Sequence, residues 1–137
     1  MIRIRNLLSD QDENFCTYKP SQNLYSLTRI QYYPSGGGFL SSHCDKRAED
    51  VTKNSKINSY IQMLLLLTKK GEDFNTGGGY IISKNKRVIH DDFTDVGDII
   101  IYNGNVMHGV ETIDSHKQLN DDTKSLEGRF VLLCNLY

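Results

Sequence analysis

From Ser26 onward the chain is interrupted every few residues by clusters that tolerate positive φ or turn geometry: Pro34-Ser35-Gly36-Gly37-Gly38, Asn75-Thr76-Gly77-Gly78-Gly79, Asp95-Val96-Gly97 and Asn103-Gly104-Asn105. No stretch between them carries a 3.6-residue apolar repeat long enough for a packed helix. What lies between them is β-favouring, in eight runs at 26–33, 39–45, 57–68, 79–83, 87–90, 98–102, 108–113 and 129–137. Eight short strands separated by turns predict an all-β jelly roll, a double-stranded β-helix whose two sheets limit exposed strand edges. Residues 1–25 are less decided. Ile2, Ile4, Leu7 and Leu8 suit a short helix or a strand, and a polar run at 9–13 follows. The expected organisation is therefore an N-terminal segment, 1–25, giving little helical support, and one β domain, 26–137.

Composition removes several classes of function. At 137 residues the chain is long enough for one core. With 16 Lys and Arg against 17 Asp and Glu, it has no bulk charge for holding nucleic acid or a membrane surface. Its longest apolar run, 63–67, is far short of the roughly 20 residues that cross a bilayer. The opening Met-Ile-Arg-Ile-Arg has no signal-peptide h-region. A cytoplasmic protein is expected. Three cysteines without a Cys-x-x-Cys spacing predict reduced thiols rather than a disulfide framework or thiolate zinc site.

The chemistry-bearing residues begin with His43-Cys44-Asp45. On a strand, alternation puts His43 and Asp45 on one face, where an imidazole and a carboxylate can grip one metal ion. A His and an Asp so spaced are also a common hydrogen-bonded surface pair, so the triplet alone decides little. His108, 63 positions after Asp45 (108 − 45), opens a later strand that can face the first across a jelly roll. Two His and one carboxylate with open positions suit non-haem Fe(II) activating O₂ better than a closed zinc site.

Arg129 sits among apolar neighbours; facing inward it needs an anion, and otherwise it reaches solvent. Tyr33, before Pro34, can offer a hydroxyl to the same anion. Val131, Leu133 and Asn135 share the face of Arg129, so Asn135 is a candidate substrate contact beside its plainer reading as a satisfied interior amide. Gln62 is a second candidate, on a face that alternation leaves unassigned. His90, before Asp91-Asp92, reads as a surface residue at a strand end, and His116 lies in a polar stretch. The stretches 46–56 and 114–127 read as solvated loops, and the mixed charges near the mouth do not choose between a peptide and a small polar substrate.

Together these residues resemble the Fe(II)- and 2-oxoglutarate-dependent oxygenases, in particular the prolyl-hydroxylase-like branch, over roughly residues 26–137. The likeness runs through Tyr33-Pro34-Ser35-Gly36-Gly37-Gly38 into His43-Cys44-Asp45, then Leu67-Thr68 with Gly77-Gly78-Gly79, then Gly97-Asp98 with His108-Gly109-Val110, and finally Arg129. It implies that His43, Asp45 and His108 bind iron, that Arg129 pairs with the distal carboxylate of 2-oxoglutarate, and that Tyr33 hydrogen-bonds this co-substrate. It further implies hydroxylation of a C–H bond, with O₂ consumed and succinate and CO₂ released. Two departures stand out. Arg129 follows His108 by 21 positions (129 − 108), more than is usual, which makes 114–127 an insertion. Leu66 stands where a co-substrate-contacting Tyr is common. The family usually packs helices on the outer sheet before the first core strand; a chain with so little before residue 26 is expected to cover that face with a second copy, as a homodimer. Beside this stand a cupin-like metalloenzyme without 2-oxoglutarate, against which His-x-Asp rather than His-x-His counts, and a metal-free jelly-roll binding module.

Overall fold

The computed structural model describes residues 1–45, 51, 53, 59–119 and 126–137. A helix, α1 (Ile2–Leu8), precedes eight strands: β1 (Ser26–Pro34), β2 (Leu40–His43), β3 (Ile61–Leu66), β4 (Gly78–Ser83), β5 (Lys86–Ile89), β6 (Ile99–Asn103), β7 (His108–Glu111) and β8 (Gly128–Leu136). They form two four-stranded antiparallel sheets in the orders β1-β8-β3-β6 and β2-β7-β4-β5. That interleaving, in which strands far apart in sequence lie side by side, is the jelly roll expected from the turn spacing. All eight runs become strands, with two corrections. β2 stops at His43, so Asp45 lies in the following loop. His90 closes no strand; it opens a 3-10 turn, His90–Asp92, and is buried. Within the long run 57–68, residues 57 and 58 lie outside the described residues, as does most of the stretch 46–56.

Alternation on β8 fixes the interior. Arg129, Val131, Leu133 and Asn135 are all buried, and the ladder sets Tyr33 opposite Arg129 and both Leu64 and Arg29 opposite Leu133. Tyr33, Leu64, Val131 and Leu133 join Leu66, Phe74, Val110 and Ile113 in the core between the sheets. Full burial of each large apolar side chain contributes roughly 1.5–3 kcal/mol. At the β4–β5 turn Lys84 and Asn85 both have positive φ (49° and 62°), the backbone of a two-residue type I′ hairpin.

The polar start of the 114–127 stretch is not a solvated loop. Asp114 is fully buried; its carboxylate accepts the backbone N–H groups of Asn75 (2.7 Å) and Thr76 (2.9 Å), the Ser35 hydroxyl (2.8 Å) and the Lys117 ammonium (3.1 Å). One side chain thus ties together the loops after β1, β3 and β7. Burial pushes the Asp114 carboxyl up, but these donors hold it well below the usual carboxylate range.

The ambiguous N-terminus folds as α1 because of what it packs on rather than its own propensity. Arg5 and Asn6 are buried; Arg5 donates to the Asn6 side chain (2.7 Å) and to the Ser26 hydroxyl (2.9 Å), and Asn6 donates to the carbonyls of Glu13 and Phe15. The three cysteines are free thiols. No described helix is long and apolar enough to cross a membrane.

Candidate metal centre

His43 ends β2 directly opposite His108, the first residue of β7. The two rings lie 4.4 Å apart between centroids, tilted by 53°. Asp45 reaches them from its loop, where its N–H bonds to the Gly104 carbonyl at 3.0 Å. One Asp45 oxygen is 4.0 Å from His43 Nε2 and the other 3.9 Å from His108 Nε2. Neither distance is a hydrogen bond, which decides against an ordinary hydrogen-bonded pair. One ligand atom from each of the three groups lies within 4.8 Å of the others, the arrangement that a shared cation fills.

Both rings are oriented by the backbone. His43 Nδ1 lies 2.8 Å from the Ser41 carbonyl and His108 Nδ1 2.8 Å from that of Val106. A carbonyl accepts only, so each Nδ1 carries a proton, and in the neutral ring each Nε2 then offers its lone pair to the centre. Burial pulls the His108 pKa below its ordinary value, the Val106 carbonyl and Asp45 acting against it, so the ring is held in the neutral, ligating form. Gln62, whose face the sequence left open, points inward and donates its amide N–H to the Asp45 carboxylate. The donor set can hold a divalent metal ion: two imidazoles and one hydrogen-bonded carboxylate that also line a cavity.

That cavity has a volume of about 50 Å³, and its walls carry His43, Asp45 and His108 together with Arg129, Tyr33, Gln62 and Asn135. The fold therefore brings every candidate residue to one place. It also adds residues that sequence reasoning missed. Arg129 is only 1% exposed, and the anion it meets is Asp91: Nε donates to one carboxylate oxygen at 2.6 Å and Nη2 to the other at 3.3 Å. The Gly79 N–H donates to the same carboxylate. His90 Nδ1 lies 3.4 Å from it, close enough to act electrostatically but without hydrogen-bond geometry. Burial pushes the Asp91 carboxyl up; His90 and Arg129 overcome this and hold it well below the usual range. A side chain at Gly79 would strike Arg129 and the His90 ring, so only glycine lets the three groups close up. The available signal was the His-Asp-Asp run itself.

One guanidinium nitrogen, Arg129 Nη1, is buried without a partner among the described residues. Tyr33 packs its ring under the guanidinium, 5.6 Å from centroid to Cζ, while its hydroxyl donates to Gln31 at 2.8 Å. Tyr102, on β6 opposite Gln62, was also missed. Its ring lies 5.0 Å from that of His108, and its hydroxyl faces the same cavity with no hydrogen-bond partner among the described residues. Burial, reinforced by Asp45, pushes that hydroxyl's pKa far up, so it stays protonated as a donor. His116 is exposed and away from the site, as expected.

No protein-family model matches this chain. No curated protein matches it in sequence. Among solved structures, its fold is similar to that of an RmlC-like cupin protein from Desulfovibrio desulfuricans, with a TM-score of 0.40 and 11% identity over 84% of this chain and 73% of that one. The class defined by the chain's own strand order and inward residues is a jelly roll with a candidate His-Asp-His metal centre.

Proposed function

We propose that this protein is an Fe(II)- and 2-oxoglutarate-dependent oxygenase that hydroxylates a C–H bond of a small-molecule or peptidyl substrate. The observation that carries this reading is the convergence of His43, Asp45 and His108 in the wall of a cavity that Arg129, with one guanidinium nitrogen unpartnered among the described residues, also lines. When bound, iron with 2-oxoglutarate and O₂ supplies the oxidising power, the co-substrate leaving as succinate and CO₂. The chain does the rest. His43, Asp45 and His108 hold the ion from one side and leave the other for co-substrate and O₂. Arg129, fixed by Asp91 and packed on Tyr33, offers Nη1 to a carboxylate, and the Tyr102 hydroxyl is a second donor in the same space. Leu64 and Leu133 form an apolar wall that keeps water from the reacting region.

A second reading has its own support. Asp91 already neutralises Arg129, which favours a cupin-like metalloenzyme that uses no 2-oxoglutarate. Oxygen uptake by the Fe(II)-loaded protein separates the two. The oxygenase reading expects uptake that depends on 2-oxoglutarate and yields succinate, is abolished in His108→Ala, and shows a raised KM for 2-oxoglutarate in Arg129→Ala. Uptake indifferent to 2-oxoglutarate, or an unchanged KM in Arg129→Ala, contradicts it.

A further inference from the structure

Two amide side chains in the cavity are buried with an unsatisfied oxygen: Gln62 Oε1 and Asn135 Oδ1, each residue 3% exposed. The orientation of Gln62 is chemically fixed. A carboxylate only accepts, so the amide must turn its nitrogen to Asp45, leaving the carbonyl oxygen free. Asn135 belongs to the same layer. Leu64 stands opposite Leu133 in the β3–β8 ladder, and Gln62 and Asn135 are each the next inward residue beyond that pair, at the metal end of the cavity.

No donor among the described residues answers these acceptors. The His43 and His108 Nδ1 groups are committed to their own carbonyls. Arg129, six positions back along β8 (135 − 129), already gives two of its nitrogens to Asp91. A buried acceptor without a donor is costly, and a ligand that supplies the donor removes the cost. The charge balance selects the kind of donor. With a divalent ion offset by Asp45 and by the 2-oxoglutarate carboxylate that chelates it, this end is neutral overall, and a neutral N–H answers the two amide oxygens without adding a charge.

Resting on the metal-centre reading, we propose that Gln62 Oε1 and Asn135 Oδ1 are the substrate-recognition pair and that the substrate presents a neutral amide N–H, from a carboxamide or a peptide bond, beside the metal. Gln62 then links recognition to the centre, since the amide that receives the substrate is the one that holds Asp45.

The test uses the full chain loaded with Mn(II), with propionamide as probe and N,N-dimethylpropionamide, which lacks N–H, as control. Paramagnetic broadening of the probe's proton resonances reports approach to the metal. The expected result is stronger broadening by propionamide, weakened about fivefold in Asn135→Leu, as for loss of one net hydrogen bond. Asn135→Asp, which keeps an acceptor, should retain it. Equal broadening by the two compounds, or loss in Asn135→Asp as complete as in Asn135→Leu, overturns the proposal while leaving the centre standing. Mn(II) that stays free by its electron paramagnetic resonance signal overturns the centre itself. Circular dichroism of each variant confirms that it is folded.

Discussion

The two ends of the cavity handle charge in opposite ways. At the Arg129 end the chain answers its own cation: Asp91 takes two guanidinium nitrogens, and Gly79 and His90 close around the pair. At the other end two imidazoles and a carboxylate face one another at 3.9–4.0 Å, beyond hydrogen-bond reach, and the donor to that carboxylate among the described residues is the neutral Gln62 amide. The first is a finished electrostatic structure with one donor left over. The second, a candidate metal site, meets no cation from the chain among the described residues. A metal site can therefore be told from a structural ion pair by whether the chain supplies both signs of charge.

The largest effect expected from this contrast is at the closed end. Asp91→Ala strands a buried guanidinium and should lower stability by about 3–5 kcal/mol in urea unfolding; a midpoint equal to wild type would show that Arg129 does not need its partner. Next is the open end. Mn(II) at one hundred times its Kd should add about 2.7 kcal/mol of stability, read as a raised thermal midpoint. His108→Ala should abolish that gain while shifting the metal-free protein by about 1 kcal/mol at most.

Acid sharpens the comparison. Asp91 and Asp114 are both held below the usual carboxylate range, so their unfolded forms bind protons first on acidification. Their contribution is complete above the unfolded value of about 3.9 and is lost as pH falls through the depressed folded values. Asp114→Asn should cost about 2 kcal/mol at neutral pH and flatten the acid-side decline measured by urea titration; an unchanged slope would remove Asp114 from the account. The smallest effect is at Gln62. Gln62→Leu leaves the ligands in place but frees Asp45, and should weaken Mn(II) binding about tenfold by calorimetry.

What could be read in the sequence was whatever depends on near neighbours. Strand-by-strand alternation and the glycine clusters act locally, so all eight strands and the inward face of β8 could be read directly. The candidate ligands were legible because His43 and Asp45 are two apart and His108 opens a strand. Asp91 was not, because its partner lies 38 positions later and meets it only through the 3-10 turn. Gln62 was ambiguous because the register against β6 and β8, not its own run, decides which way it points. Asp114 read as solvent-exposed because a carboxylate satisfied by backbone N–H groups from another loop leaves no mark in its own segment. In α1, seven residues are too few to show a repeat, and the helix rests on Arg5 and Asn6 reaching outside it.

The central claim is that the open end holds iron and the leftover Arg129 donor holds 2-oxoglutarate. It is tested most directly by titrating the anaerobic Fe(II)-loaded protein with 2-oxoglutarate and following the visible charge-transfer band of the chelate. The account predicts a band that saturates at one equivalent and demands much higher 2-oxoglutarate in Arg129→Ala. Iron bound with no band at any 2-oxoglutarate concentration would contradict it.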